Sequence, residues 1–93
     1  MKPTPGRMVT ALGYSSNGSI EHPAIITRVW SDQDPADAVV LVNLTMFPDM
    51  ESPKLHGSVQ IFNTRAEAEA FRAEKIAQGW EKGPLVCFWP DRV

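Results

Sequence analysis

Two histidines, one cysteine and a scatter of loop serines are the residues of this chain that could support metal binding or nucleophilic catalysis. His22, His56 and Cys87 would supply three metal ligands only if the fold converged them, because none has the close spacing of recurrent zinc sites. His22, directly before Pro23, reads as a loop residue, and Cys87, in an apolar run, as a small core residue. A nucleophilic cysteine needs a base and an electropositive setting, and the sequence fixes neither. The serines belong to no nucleophile elbow or triad order. Gly6, Gly13, Gly18, Gly57, Gly79 and Gly83 are too scattered for a phosphate loop or a dinucleotide fingerprint. The acidic stretch Asp32 to Asp37 contains Pro35 and lacks the terminal glutamate of a calcium loop, so a solvated loop is expected there. We expect no catalytic residue, no metal and no cofactor, and read the chain as a binding protein, not an enzyme.

The aromatic and polar side chains say more. Trp30, Trp80, Phe88 and Trp89 join Tyr14, Phe47, Phe62 and Phe71 in a short chain, and most of these rings must fill a core. Phe88 and Trp89 are neighbours on a strand and point to opposite faces, so one of them must lie outside the main core, against a helix, a subunit or a ligand. Arg28 sits two residues before Trp30 and shares its face, while Asn43, Thr45 and Phe47 line the polar face of the next strand. If these strands pair, guanidinium, amide, hydroxyl and aromatic groups form one patch. Such a patch can stack a nucleobase, read its edge and meet a phosphate. The same residue types also suit a subunit interface.

The elements that must hold these groups are strands. Arg7 to Tyr14 reads as a first strand, followed by a turn over Ser15 to Ser19 that contains Asn17-Gly18. Pro23 to Trp30 is a β-branched and aromatic run. Ala38 to Phe47 alternates, with Val40, Val42, Leu44 and Met46 on one face and Leu41, Asn43, Thr45 and Phe47 on the other. Met50 to Leu55 reads as a loop and Gly57 to Phe62 as a fourth strand. The period then changes: Thr64 and Glu67 have the spacing of a capping box, in which the glutamate would reach back to the Thr64 backbone. Alanines with Phe71 and Ile76 continue a helix to Gln78, and Gly79 suits its end. Trp80 should fold back on the last turn, and Leu85 to Trp89 forms a last strand before Pro90. The fold expected is mainly β (α+β): a small, partly open five-stranded SH3-like barrel with one α-helix inserted before the last strand.

At 93 residues, with 43% hydrophobic and 22% charged residues, the chain has enough apolar material for one core and one domain, residues 1–93. A net charge of −2 argues against a surface that neutralises the backbone of a long nucleic acid. A single cysteine cannot form an internal disulfide and fits a reducing cytoplasm. Lys2, Pro3 and Pro5 follow Met1 with no apolar stretch resembling a signal peptide or membrane span, so no membrane partner is expected.

Four segments carry a resemblance: Pro5-Gly6-Arg7-Met8-Val9, His22-Pro23-Ala24-Ile25-Ile26-Thr27-Arg28-Val29-Trp30, Val42-Asn43-Leu44-Thr45-Met46-Phe47 and Phe88-Trp89-Pro90. In this order the chain resembles a family of small β-barrel proteins encoded by tailed bacteriophages. That family is similar in turn to phage sponge proteins of the anti-CBASS type, which sequester cyclic nucleotide immune signals. The resemblance implies a homo-oligomer in the cytoplasm of the infected bacterial host that binds a cyclic dinucleotide or trinucleotide between subunits without cleaving it. It places Arg28, Trp30, Asn43, Phe47 and Trp89 at the ligand, with Trp89 or Trp30 stacking and Arg28 at phosphate. The chain departs from the pattern at Cys87 and Phe88, where tryptophan, or at the second position tryptophan or histidine, is usual, and in the length of its 64–78 helix. The other class of function is a phage structural or host-protein-interaction module with no nucleotide ligand.

Overall fold

In the computed structural model, which describes residues 2–31 and 33–90, the chain runs through β1 (Met8–Ser16), β2 (Ser19–Val29), β3 (Val40–Met46), β4 (Lys54–Phe62), α1 (Arg65–Ala77) and β5 (Val86–Phe88). Asn17 and Gly18 turn the first hairpin, both with positive φ (48° and 80°), as a two-residue loop matched to strand twist requires. Strands β1 to β4 pair antiparallel in sequence order. β5 closes the barrel by pairing antiparallel with β1 and parallel with β4. A parallel pair needs a long crossover, and α1 supplies it. The five strands and the helix before the last of them are those expected from the sequence, and the barrel is closed.

Alternation on β3 fills the interior with Val40, Val42, Leu44 and Met46. These meet Val9 and Ala11 of β1, Ala24 and Ile26 of β2, Val59 and Ile61 of β4, and Cys87 with Trp89. A second, smaller cluster lies on the other side of β5, where Leu12, Val86 and Phe88 pack with Ala68 of the helix, against Phe62 and Phe71. The Phe88-Trp89 pair thus divides as its alternation demands: Trp89 enters the main core, and Phe88 is the outer ring, covered by α1.

The helix begins at Thr64, whose hydroxyl accepts from the Glu67 backbone N–H at 3.2 Å. The glutamate answers through its own Oε1, which accepts from the Thr64 hydroxyl at 3.2 Å, so the side chains close on each other where a return to the Thr64 backbone was expected. Gly79, at φ +108°, follows the C-cap Gln78. The Trp80 backbone N–H folds back to the Lys75 carbonyl at 3.1 Å, while its side chain remains exposed.

Strand ends differ from the expectation in two instructive places. β2 starts at Ser19, four residues before Pro23, and His22 is a buried strand residue, not a loop residue. Its Nε2–H donates to the Tyr14 carbonyl at 2.8 Å, which satisfies a buried imidazole. β4 starts at Lys54, within the segment expected as loop, and continues through Gly57 by means of a bulge.

Beyond the first residue of β5, which pairs with Leu12, side chains tie the barrel mouth by linking the end of β1 and its turn to the β3–β4 loop. The Tyr14 hydroxyl donates to Glu51 Oε1 at 2.9 Å, Ser16 also donates to Glu51, and Asn17 Nδ2 donates to Asp49 Oδ2 at 2.6 Å. These bonds hold the Glu51 carboxyl below its usual pKa, chiefly through Ser16, then Tyr14. In the β2–β3 loop, Asp34 accepts from Asn63 Nδ2 at 2.9 Å and from the Ala36 backbone at 2.8 Å, which keeps its carboxyl well below the usual range. Asp32, the first residue of the acidic stretch, lies outside the described residues.

Candidate functional site

Two bulges decide what the outer surface presents. In β2, Ile26 pairs with Leu44 but Arg28 pairs with Asn43, so Thr27 is an extra residue. Unbroken alternation from the buried Ala24 and Ile26 would carry Arg28 and Trp30 into the core. One inserted residue reverses the faces, and Val29 points in, opposite Val42, while Arg28 and Trp30 stand outside. In β4, Val59 pairs with Val42 and His56 with Leu44, so Gly57 and Ser58 together oppose Asn43. Ser58 takes a positive φ of 54° at this second bulge. Asn43 therefore lies between two bulges, one on each neighbouring strand.

Its side chain ties them together. Oδ1 accepts from the Trp30 indole N–H at 3.0 Å and from the Ser58 backbone N–H at 2.9 Å. Two donors on one atom identify that atom as the oxygen, which leaves the Nδ2 amide with no protein acceptor among the described residues. Gly57 makes the room: a Cβ there would come within 3.3 Å of Asn43 Oδ1. The Arg28 guanidinium lies over the Trp30 ring, 4.1 Å from its centroid, a cation–π contact worth about 0.5–1 kcal/mol at an exposed site. Arg28 forms no ion pair among the described residues, and 52% of Trp30 is exposed. Beside this assembly is a cavity of about 240 Å³ lined by Thr27, Asn43, Leu44, Leu55, His56 and Gly57.

Of the five residues singled out from sequence, the structure brings Arg28, Trp30 and Asn43 into contact. Phe47 follows β3 on the outer face with its backbone N–H bonded to the Pro23 carbonyl. It stands four residues from Asn43, about 13 Å along an extended strand. Trp89 is 7% exposed within the main core, its Nε1 buried without a hydrogen-bond partner among the described residues, and Arg7 approaches its ring at 5.9 Å. Of these two tryptophans, Trp30 is the one whose ring is exposed.

Gly57, Ser58 and Thr27 were not singled out as site residues. Gly57, between His56 and Ser58 at the start of a β-forming run, is the available sequence signal for the β4 bulge. His22 is bonded to Tyr14, Cys87 is in the core, and no group of three or more histidine, cysteine or acidic residues gathers among the described residues. Burial pushes the Cys87 thiol up to about 12.

The fold and site together define a small closed β-barrel with one flanking helix and a polar–aromatic patch on its outer wall. Comparison with protein-family models, curated proteins and solved structures finds no match.

Proposed function

We propose that the protein is a phage-encoded binding protein that sequesters a cyclic oligonucleotide second messenger, a dinucleotide or trinucleotide, without cleaving it, and so blocks host antiphage signalling in the infected cytoplasm. The observation that carries this proposal is the Arg28–Trp30–Asn43 assembly. A half-exposed indole offers a stacking face, and a guanidinium without a carboxylate partner among the described residues offers charge for phosphate. An amide fixed through its oxygen offers two N–H donors to a base edge. The resemblance of the four sequence segments to small phage proteins supports the same ligand class.

The outer surface next to this assembly is apolar apart from Thr45. Met8, Ile25, Thr45 and Leu55 are register partners across four strands, and Met8 and Leu55 are 56% and 82% exposed. An exposed apolar row of this kind supports a homo-oligomer that places the ligand between copies. It equally favours the second reading, a structural or host-protein-interaction module that uses this row and holds no nucleotide.

A thermal shift screen against cyclic dinucleotides and trinucleotides separates the two, because a ligand that binds only the folded state raises apparent stability. The nucleotide reading expects at least one saturable rise in melting temperature that is lost in Trp30→Ala and in Arg28→Ala. No shift with any nucleotide, together with a stable complex with a host protein, would establish the second reading.

A further inference from the structure

At the far end of β2 from Arg28 and Trp30 lies a larger cleft, of about 540 Å³, bounded by Gly13, Tyr14, Ser15, Ile20, Arg72 and Lys82. Its volume falls in the range of small-molecule sites. Ile20 and Arg28 are eight residues apart on one strand, about 26 Å, so the two surfaces are separate.

The cleft is built around a fixed arginine. Arg72 Nε–H donates to the Pro84 carbonyl at 2.9 Å, and Nη2–H donates to the Lys82 carbonyl at 2.6 Å. Two glycines make space for it. A Cβ on Gly13 would fall 2.9 Å from the Pro84 oxygen and 3.1 Å from Arg72 Nε, and one on Gly83 would fall 3.1 Å from Arg72 Nη2. Gly13 also has φ +127°, a conformation that side chains rarely adopt. It belongs to an enlarged bulge: Leu12 pairs with Glu21 and Ser16 with Ser19, so three residues of β1 oppose one of β2.

A guanidinium has five N–H donors, and the two carbonyls use two. Arg72 and Lys82 form no ion pair among the described residues, and no acidic residue lines the cleft. Two cations without counter-ions among the described residues suit a dianion. The Tyr14 and Ile20 side chains supply an apolar wall, and Ser15 adds a polar group. Because its carbonyl bonds already hold Arg72 in place, little ordering cost remains when an anion arrives.

We propose that this cleft is a second binding site, for a phosphate monoester that carries an aromatic or apolar body: phosphate toward Arg72 and Lys82, body against Tyr14 and Ile20. The test is titration of the intact protein with phenyl phosphate, followed by amide NMR, with inorganic phosphate and benzoate as comparison probes. Saturable shifts should appear at the amides of Gly13, Tyr14, Ser15, Ile20 and Lys82. Phenyl phosphate should bind more tightly than either comparison probe. Lys82→Glu, on an exposed side chain, should weaken phenyl phosphate about tenfold or more while the remaining spectrum is retained, and Arg28→Ala should leave it unchanged. Absence of saturable shifts, unchanged affinity in Lys82→Glu, or equal affinity for phenyl phosphate and inorganic phosphate would overturn the proposal. Loss of binding in Arg28→Ala would also overturn it, by assigning the phosphate to the other surface.

Discussion

The Trp30 indole N–H donates to Oδ1 of Asn43 at 3.0 Å, across the β2–β3 ladder, and the same oxygen accepts from the Ser58 backbone. One amide thereby positions a surface ring and pins the bulge of the opposite strand. Asn43→Ala should leave both donors to water and cost about 1 kcal/mol of stability, the usual size for such hydrogen bonds. Urea denaturation monitored by tryptophan fluorescence checks the cost, and loss of ligand-induced shifts in the same variant checks the site. A variant as stable as the parent, with unchanged ligand response, would show that Asn43 positions nothing.

Phe88 holds the helix to the barrel. It is fully buried among Leu12, Val86 and Ala68, and Arg65, which also bonds Glu21, lies 4.8 Å from its ring centroid. Phe88→Ala should cost about 3–5 kcal/mol, the range for a buried ring. Removal of the cap in Thr64→Ala should cost about 1 kcal/mol. Chemical denaturation of the two variants should give this order, and a reversal would mean that α1 is held by its own caps more than by packing.

Acid should loosen the barrel mouth. Glu51 has a depressed pKa in the folded state, caused by Ser16, then Tyr14, with Lys54 assisting, against an ordinary value of 4.5. Its contribution is present above the ordinary value and is lost as pH falls through the lower folded value. The melting temperature of the parent should therefore drop more steeply below about pH 4.5 than that of Glu51→Gln. Equal slopes for the two proteins between pH 5 and the acid limit would show that the Glu51 carboxylate does not hold the barrel mouth.

Cys87 should be chemically silent in the folded protein. It is fully buried and its thiol is pushed up to about 12 by burial, whereas the thiolate is the reactive form. Alkylation by iodoacetamide near neutral pH should proceed only as fast as the protein opens, and denaturant should accelerate it in step with unfolding. Rapid labelling of native protein would contradict the placement of β5 in the core.

The barrel was legible because strand alternation and helix capping are local. Val40, Val42, Leu44 and Met46 declare one face of β3 without reference to any partner, and Thr64 with Glu67 declares the helix start. The bulges were not legible, because an extra residue is defined only against the strand it faces. Thr27 looks like any other β-former until Ile26 and Arg28 are paired with Leu44 and Asn43. Trp89 is the complementary case. Alternation requires Phe88 and Trp89 to separate, but which ring is covered by the helix depends on where α1 docks. The surface cleft at Arg72 was hidden for a similar reason, since its lining comes from β1, β2, the helix and the segment that follows it.

The proposed function requires retention of an intact cyclic oligonucleotide on the Arg28–Trp30–Asn43 surface. Its most direct test is to incubate the protein with a mixture of cyclic dinucleotides and trinucleotides, remove free nucleotide, denature the protein by heat and identify what is released by chromatography. One or more unmodified cyclic species should be recovered from the parent protein and none from Trp30→Ala. Recovery of no nucleotide from the parent, or of a linearised or shortened product, would contradict the proposed function.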